Sequence, residues 1–276
     1  MAPFLHYEAI YAAKDPQEIA ARCAIQFDSR IGCFRVRVMG RDYLAPHPGF
    51  KLLGGEGAGV PAGADTPVAA DASTVAYTGT GAVAGVSAVA GAAACADKPA
   101  SAGAPVVVGA STAACAETGT VAGVPANAGA SGMERLLVLR YLCEGAHEPW
   151  RGGMVAYSEI PWGGVYASNF QGRCVRRLAR EFGSDAAGLA DIMRGEARLE
   201  AERVKPGDVG VRFAFMPGLY MAFAIWEGDD EFEPSAQILF SDNFPAAFTA
   251  EDIAVAAEVA LSRLRAMKSA RQVSRR

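Results

Sequence analysis

The sequence predicts an α+β protein in which a largely antiparallel sheet packs with helices, interrupted by a long low-complexity insertion. Apolar strands and amphipathic helices mix without the strict strand–helix–strand order of a parallel sheet. Two strongly apolar runs are joined by Met216-Pro217-Gly218, a connection typical of a hairpin. Residues 54–132 differ in composition from both flanks, which indicates that they are not part of the packed core.

The helices follow from apolar spacing at three and four residues and from capping residues. Asp15-Pro16 is typical of a cap followed by a first helical turn. Gly145 ends the helix that begins at 133, and Thr249 with Asp252 three residues later caps the last helix. The predicted helical segments are His6–Cys23, 133–145, Tyr166–Phe182, Asp185–Glu200 and Thr249–Met267.

The strands follow from alternation and from short apolar runs. In CFRVRVM at 33–39, Phe34, Val36 and Val38 share one face while Arg35 and Arg37 share the other, which indicates a half-buried strand. The predicted strands are Gly32–Met39, Asp42–Ala45, Met154–Ser158, Val209–Phe215, Leu219–Trp226 and Gln237–Phe240.

Residues 54–132 are predicted to be a flexible insertion in one core domain formed by residues 1–53 and 133–276. Tyr77 is the only aromatic residue of this segment, which contains no Leu, Ile, Phe, Trp or Met. Glycine costs backbone entropy on ordering, and alanine buries too little area to offset that cost. The weak repeats, such as AGVPA at 58–62 and 122–126, lack the large apolar residues that a stacked solenoid needs.

Charge and hydropathy exclude several classes of partner. The 276-residue chain has a formal net charge of −4. The insertion carries five acids and one lysine, so the rest of the chain is neutral and has no overall field to attract nucleic acid. No segment has the apolar length of a membrane span, and the first residues lack the pattern of a signal peptide. We therefore expect a cytoplasmic protein without a nucleic-acid or membrane partner.

Several common chemistries have no motif in this chain. The six cysteines include no C-x-x-C pair, and the three histidines form no H-x-x-x-H pattern. A G-x-S-x-G nucleophile motif is absent as well. Cys143 and Cys174 fall on the apolar faces of predicted helices, which indicates small core residues.

The segment WEGDDEFEP at 226–234 contains five carboxylates. Glu227, Asp229 and Asp230 are candidate ligands of a hard divalent cation such as Mg²⁺ or Ca²⁺, although the D-x-D-x-D-G order of an EF-hand is absent. Two of the carboxylates would instead form an acid–base pair if one of them were desolvated. The third interpretation is an ordinary solvated loop.

A second candidate site combines arginines with aromatic residues. QGRCVRRLAREFG at 171–183 places four arginines at i, i+3, i+4 and i+7 of a helix, which suits a phosphate, a carboxylate-rich cofactor or an acidic protein. A solvated helix face is the alternative. EPWRGGMVAYSEIPWGGVYASNF at 148–170 adds aromatic contact area beside Gly-Gly pairs, in either a binding surface or a structural turn. The predicted ligand-binding residues are Trp150, Trp162, Tyr166, Arg173, Arg176, Arg177 and Arg180.

The core segments resemble the domain of unknown function 3786 family. The resemblance is carried by residues 207–244, which include the WEGDDEFEP run, and by FTAEDIAVAAEVALSRL at 248–264, SEIPWGGVYASNFQGRCVRRLAREFG at 158–183 and GRDYLAP at 40–46. It covers nearly all of the core and none of the insertion. It implies an uncharacterised protein of strict anaerobes, with a link to anaerobic one-carbon and corrinoid metabolism. Some family members are joined to a cysteine-rich iron–sulfur segment, whereas this chain has neither a cysteine cluster nor a D-x-H-x-x-G corrinoid motif.

Two functional hypotheses follow. In the first, the chain is a non-catalytic accessory protein that binds a small anionic cofactor or a partner protein through the aromatic and arginine residues, facing the acidic loop. In the second, it is a divalent-metal-dependent enzyme whose ligands are Glu227, Asp229 and Asp230.

Overall fold

The computed structural model of the chain describes residues 2–54 and 130–274. All of the described residues belong to one compact unit. Only the ends of the segment predicted as an insertion, at 54 and 130–132, are described. Its flexibility and its boundaries therefore stay predictions.

The described chain is an α+β fold, as predicted, with helices packed on antiparallel sheets. The helices are α1 (Ala2–Ala13), α2 (Pro16–Cys23), α3 (Gly132–Glu144), α4 (Gly163–Phe170), α5 (Arg176–Phe182), α6 (Ala186–Gly195), α7 (Phe244–Ala247) and α8 (Ala250–Ser274). The strands are β1 (Phe27–Asp28), β2 (Cys33–Val38), β3 (Arg41–Pro46), β4 (Leu53–Gly54), β5 (Met154–Ala156), β6 (Glu202–Arg203), β7 (Val209–Met216), β8 (Leu219–Trp226) and β9 (Ser235–Ser241).

The strands form two sheets. The first has the order β1-β2-β3-β4 and the second the order β5-β9-β8-β7-β6, with antiparallel pairing throughout. The predicted hairpin is the pair β7–β8 at the centre of the second sheet. A main-chain hydrogen bond joins the sheets, because Met39 N–H after β2 donates to the carbonyl oxygen of Phe215 in β7 at 2.8 Å. The strands β1, β4 and β6 were not predicted, since two residues are too few to show an alternation.

The helix caps confirm the sequence interpretation at two places. The Asp15 carboxylate accepts the N–H of Gln17 at 2.6 Å and begins α2. At the start of α8, the Thr249 hydroxyl donates to the Asp252 carboxylate at 2.7 Å. α8 continues to Ser274, beyond the predicted end at 267. Among the described helices, none combines the length and the apolar character that crossing a membrane requires.

The segment predicted as one helix at 166–182 consists of three parts. α4 already begins at Gly163, a π-helical turn occupies Gln171–Val175, and α5 completes the segment. A π-helical turn adds one residue to a helix and shifts the phase of every side chain beyond it. Such a phase shift is too small to detect in a short amphipathic pattern.

One hydrophobic core unites the two described ranges of the chain. Its members include Phe34, Val38, Leu142, Phe215, Phe223 and Leu261, all almost fully buried. Cys143 and Cys174 are buried in the same core, as predicted from their positions on helix faces. α8 packs against α3, α4 and α6 and brings its first turns beside α4.

Candidate functional site

A cleft with a volume of about 270 Å³ lies between α4, the π-helical turn and the first turns of α8. Tyr166 on α4 and Arg173 on the π-helical turn form one side. Glu251, Ala254 and Val255 on α8 form the other. The cleft therefore combines an aromatic ring, a cation, an anion and apolar surface in one concave place, which is typical of a small-molecule site.

The floor of the cleft is an aromatic stack. The rings of Tyr157 and Phe170 lie parallel, with centroids 4.0 Å apart and planes inclined by 6°. The Tyr157 hydroxyl donates to the carbonyl oxygen of Ala250 at 2.9 Å and so fastens the floor to the start of α8. Burial raises the pKa of the Tyr157 phenol above its ordinary value. The floor is thus rigid, apolar and uncharged.

Arg173 is the cationic group of the cleft. Its Nε lies 2.6 Å from Oε1 of Glu258 in an ion pair, and the Glu258 side chain is only 13% exposed. The Arg173 side chain is 62% exposed, so its two terminal nitrogens are accessible to a ligand while Glu258 holds the guanidinium in place. A guanidinium fixed in this way presents its N–H groups to a carboxylate or a phosphate without further loss of conformational freedom.

Unusual backbone features lie at the two ends of α4. Trp162, just before α4, has a φ of 66°, which costs a residue with a side chain about 1 kcal/mol. Gly163 follows and packs so closely on the carbonyl oxygen of Tyr157 that a Cβ atom would overlap it. The π-helical turn lies at the other end of α4, and such turns occur frequently at functional sites. α4 therefore begins after a residue with a positive φ and ends in a π-helical turn, two features that a regular α-helix lacks.

The structure divides the four predicted arginines into two pairs. Arg173 and Arg177 face α8. Arg177 lies 3.4 Å from the hydroxyl of Ser262 on α8 and pairs with Glu181 of its own helix at 3.0 Å. Arg176 and Arg180 are exposed, and no ion pair to either is seen among residues 2–54 and 130–274. The four guanidinium groups thus do not form one continuous stripe, and only Arg173 lines the cleft.

The predicted aromatic residues also separate. Tyr166 lines the cleft, whereas Trp162 is 80% exposed at the start of α4. Trp150 lies on the second sheet, where its indole N–H donates to the carbonyl oxygen of Gly153 at 2.7 Å and its ring lies under the Arg212 guanidinium at 4.3 Å. These contacts give Trp150 a packing role away from the cleft.

The acidic loop between β8 and β9 is exposed and engages its own backbone. The Asp229 carboxylate accepts the N–H groups of Glu231 and Phe232 at 2.9 and 2.8 Å, which lowers the pKa of Asp229. The N–H of Glu227 donates to Asp208 at 2.9 Å. In the described part of the chain, no three His, Cys, Asp or Glu side chains are grouped to hold a metal ion. A metal role for Glu227, Asp229 and Asp230 stays a prediction.

The acidic loop nevertheless lies beside the end of the arginine-bearing helix. Pro234 packs against Gly183 just after α5, where a Cβ atom on the glycine would lie 2.4 Å from the proline ring. Gly183 and Ser184 share a shallow groove with the loop. The acidic loop and the C-terminal end of the arginine-bearing helix are therefore neighbours in space. The cleft that Arg173 lines is formed with α8 and includes no residue of the acidic loop.

Sequence reasoning missed the residues that α8 contributes. Glu251, Ala254, Val255 and Glu258 recur at i, i+3, i+4 and i+7, so they share one helix face. That spacing was readable in the sequence. What it did not reveal is that this face meets Arg173, because the contact joins residues 85 positions apart through tertiary packing.

The fold and the cleft define the class of the protein: an α+β domain with a small aromatic and charged cleft between helices. The chain belongs to the family described as a domain of unknown function (DUF3786), whose model matches residues 109–263. The matched range begins inside the segment predicted as an insertion and does not include GRDYLAP at 40–46, so it differs from the range that the resemblance suggested. No curated protein and no solved structure matches the chain.

Proposed function

We propose that the chain is an accessory protein that binds a small ligand with an anionic group and an apolar body in the cleft beside α4. One observation carries the proposal: the exposed Arg173 side chain and the Tyr166 ring line the same cleft as the stacked rings of Tyr157 and Phe170. The guanidinium offers N–H donors to a carboxylate or phosphate, and the rings offer flat apolar area to the rest of the ligand.

The size of the cleft limits the ligand. Its volume of about 270 Å³ is below the range of roughly 300–1,000 Å³ that holds drug-sized molecules. The cleft is therefore too small to enclose a whole corrin macrocycle, and it favours a single-ring molecule or one end of a larger cofactor. The link to anaerobic one-carbon and corrinoid metabolism that the family resemblance implies stays a prediction.

Binding of a partner protein is the second candidate, and it is favoured by a stripe of exposed apolar side chains on α4. Trp162 is 80% exposed, Val165 71% and Tyr166 47%. Exposed contiguous apolar side chains mark interaction surfaces. Because Arg173 and Arg176 lie just beyond the stripe, the partner would present apolar side chains flanked by carboxylates.

Calorimetric titration with para-toluate, an aromatic carboxylate, tests the cleft, with uncharged para-methylbenzyl alcohol as the reference. Para-toluate is expected to bind, and Arg173→Gln is expected to weaken it about tenfold, the size of one charge-assisted hydrogen bond. Arg180→Gln is the matched control, since this exposed arginine is not part of the cleft.

The same titration separates the two candidates. Trp162→Ser removes the most exposed apolar side chain of the stripe and leaves the cleft lining intact. Unchanged para-toluate binding in this variant supports the cleft as the site. No binding of para-toluate to the unaltered chain, or equal losses in Arg173→Gln and Arg180→Gln, would overturn the small-ligand proposal.

A further inference from the structure

The cleft carries charges of opposite sign on facing elements. Arg173 projects from the π-helical turn, and Glu251 belongs to the first turn of α8. Burial is the main cause of the raised pKa of the Tyr157 phenol in the floor, with smaller effects of opposite sign from Glu251 and Arg173. An anionic ligand that fills this cleft therefore meets one favourable charge and one unfavourable charge.

Among the described residues, the acidic group of this pair, Glu251, forms no ion pair. Arg173 is balanced by Glu258, and the neighbouring Asp252 is paired with Arg140 at 2.7 Å. Glu251 is exposed, and within the described ranges no basic side chain forms an ion pair with it. A ligand that carried only a negative charge would be attracted by Arg173 and repelled by Glu251.

The spacing of the charges sets the shape of a complementary ligand. Glu251 and Glu258 are seven residues apart on α8, so their Cα atoms are about 10 Å apart along the helix axis. Arg173 is fixed at the Glu258 end, and the apolar side chains of Ala254 and Val255 lie between the two ends. A ligand that meets both charges needs an apolar body between its anionic and cationic groups.

We infer that the ligand of this cleft is a small zwitterion in which a ring-sized apolar body separates a carboxylate or phosphate from a protonated amine. The anionic end binds Arg173, the ammonium group binds Glu251, and the body lies between the Tyr166 ring and Val255. The inference rests on the proposed function and specifies the ligand class of the same site.

Three probes that share a para-substituted benzene ring test it by calorimetric titration: para-(aminomethyl)benzoate carries both charges, para-toluate only the negative charge and para-methylbenzylamine only the positive charge. The zwitterion is expected to bind about fivefold tighter than para-toluate, the gain that one solvent-exposed ion pair supports. Glu251→Gln is expected to remove this gain and leave para-toluate binding equal or stronger. Glu148→Gln, an exposed carboxylate outside the cleft, is the matched control and is expected to keep the gain.

The outcomes distinguish a failure of the zwitterion inference from a failure of the proposed function. If the zwitterion and para-toluate bind equally and both depend on Arg173, the proposed function stands and the zwitterion inference is overturned. If Glu251→Gln and Glu148→Gln reduce the gain equally, the inference is likewise overturned. If none of the three probes binds, both fall together.

Discussion

Replacing Phe170 by alanine tests the aromatic floor on which the cleft depends. The Phe170 ring is 5% exposed, stacks on Tyr157 at 4.0 Å and lies 6.0 Å from the Phe240 ring. It also separates the cleft beside α8 from a second cleft of about 220 Å³ beside β9, because Phe170 lines both. Phe170→Ala therefore removes the stacking and leaves a void between the two clefts.

The expected loss of stability follows from this geometry. Truncation of a buried Phe to Ala costs about 3–5 kcal/mol. We expect about 3 kcal/mol, at the lower end, because the clefts on both sides let water enter the void instead of leaving it empty. For a chain of this size, about 3 kcal/mol corresponds to a decrease in melting temperature of roughly 6–12 °C.

Urea unfolding followed by circular dichroism measures this loss as a lower midpoint at unchanged slope. Phe232→Ala is the matched control, because Phe232 is 70% exposed in the acidic loop and its truncation is expected to change the free energy of unfolding by less than about 0.5 kcal/mol. Para-toluate binding is expected to be lost in Phe170→Ala and kept in Phe232→Ala. Equal stability of the two variants would refute the floor as described.

Two further predictions concern backbone packing and the buried thiols. Gly163→Ala is expected to lower the midpoint of urea unfolding strongly, because the new Cβ would overlap the Tyr157 carbonyl oxygen. Gly164→Ala is expected to have little effect, because its new Cβ would lie 4.0 Å from the nearest atom, the Ser158 carbonyl oxygen. A similar midpoint for both would contradict the close approach. Burial raises the pKa of three thiols, to about 11 in Cys23 and Cys143 and about 12 in Cys174, from 9.0. Their contribution to stability is therefore complete below about pH 9 and is lost as the pH rises through 11–12. In a background lacking Cys95 and Cys115, Ellman's reagent at pH 8 is expected to label thiols only after unfolding. Rapid labelling of the folded chain would show that the thiols are accessible.

The sequence determined much of the fold because its signals are local. Alternation in CFRVRVM defined β2, and the apolar runs around Met216-Pro217-Gly218 defined the β7–β8 hairpin. Asp15 capped α2 through its own side chain, within two residues of the group it binds. A feature that is decided by hydrogen bonds between near neighbours can be predicted from the order of residues alone.

The sequence also found two of the residues that line the cleft, Tyr166 and Arg173, but only as members of larger sets. It grouped Arg173 with Arg176 and Arg180 because regular helical spacing was assumed across 171–175, where the structure has a π-helical turn. It placed Trp150 beside these residues because they are close in sequence, although Trp150 packs on the second sheet. Closeness along the chain was taken as closeness in space.

Residue types and their local spacing thus determined the α+β class, the main helices and strands and two of the residues that line the cleft. The tertiary structure alone decided which of them meet. Glu258 holds Arg173, and the Tyr157 hydroxyl binds the start of α8, through contacts that span 85 and 93 residues. Such contacts depend on how whole helices pack against one another. The residues next to Arg173 or Tyr157 in the sequence therefore do not indicate which residue of α8 each one contacts.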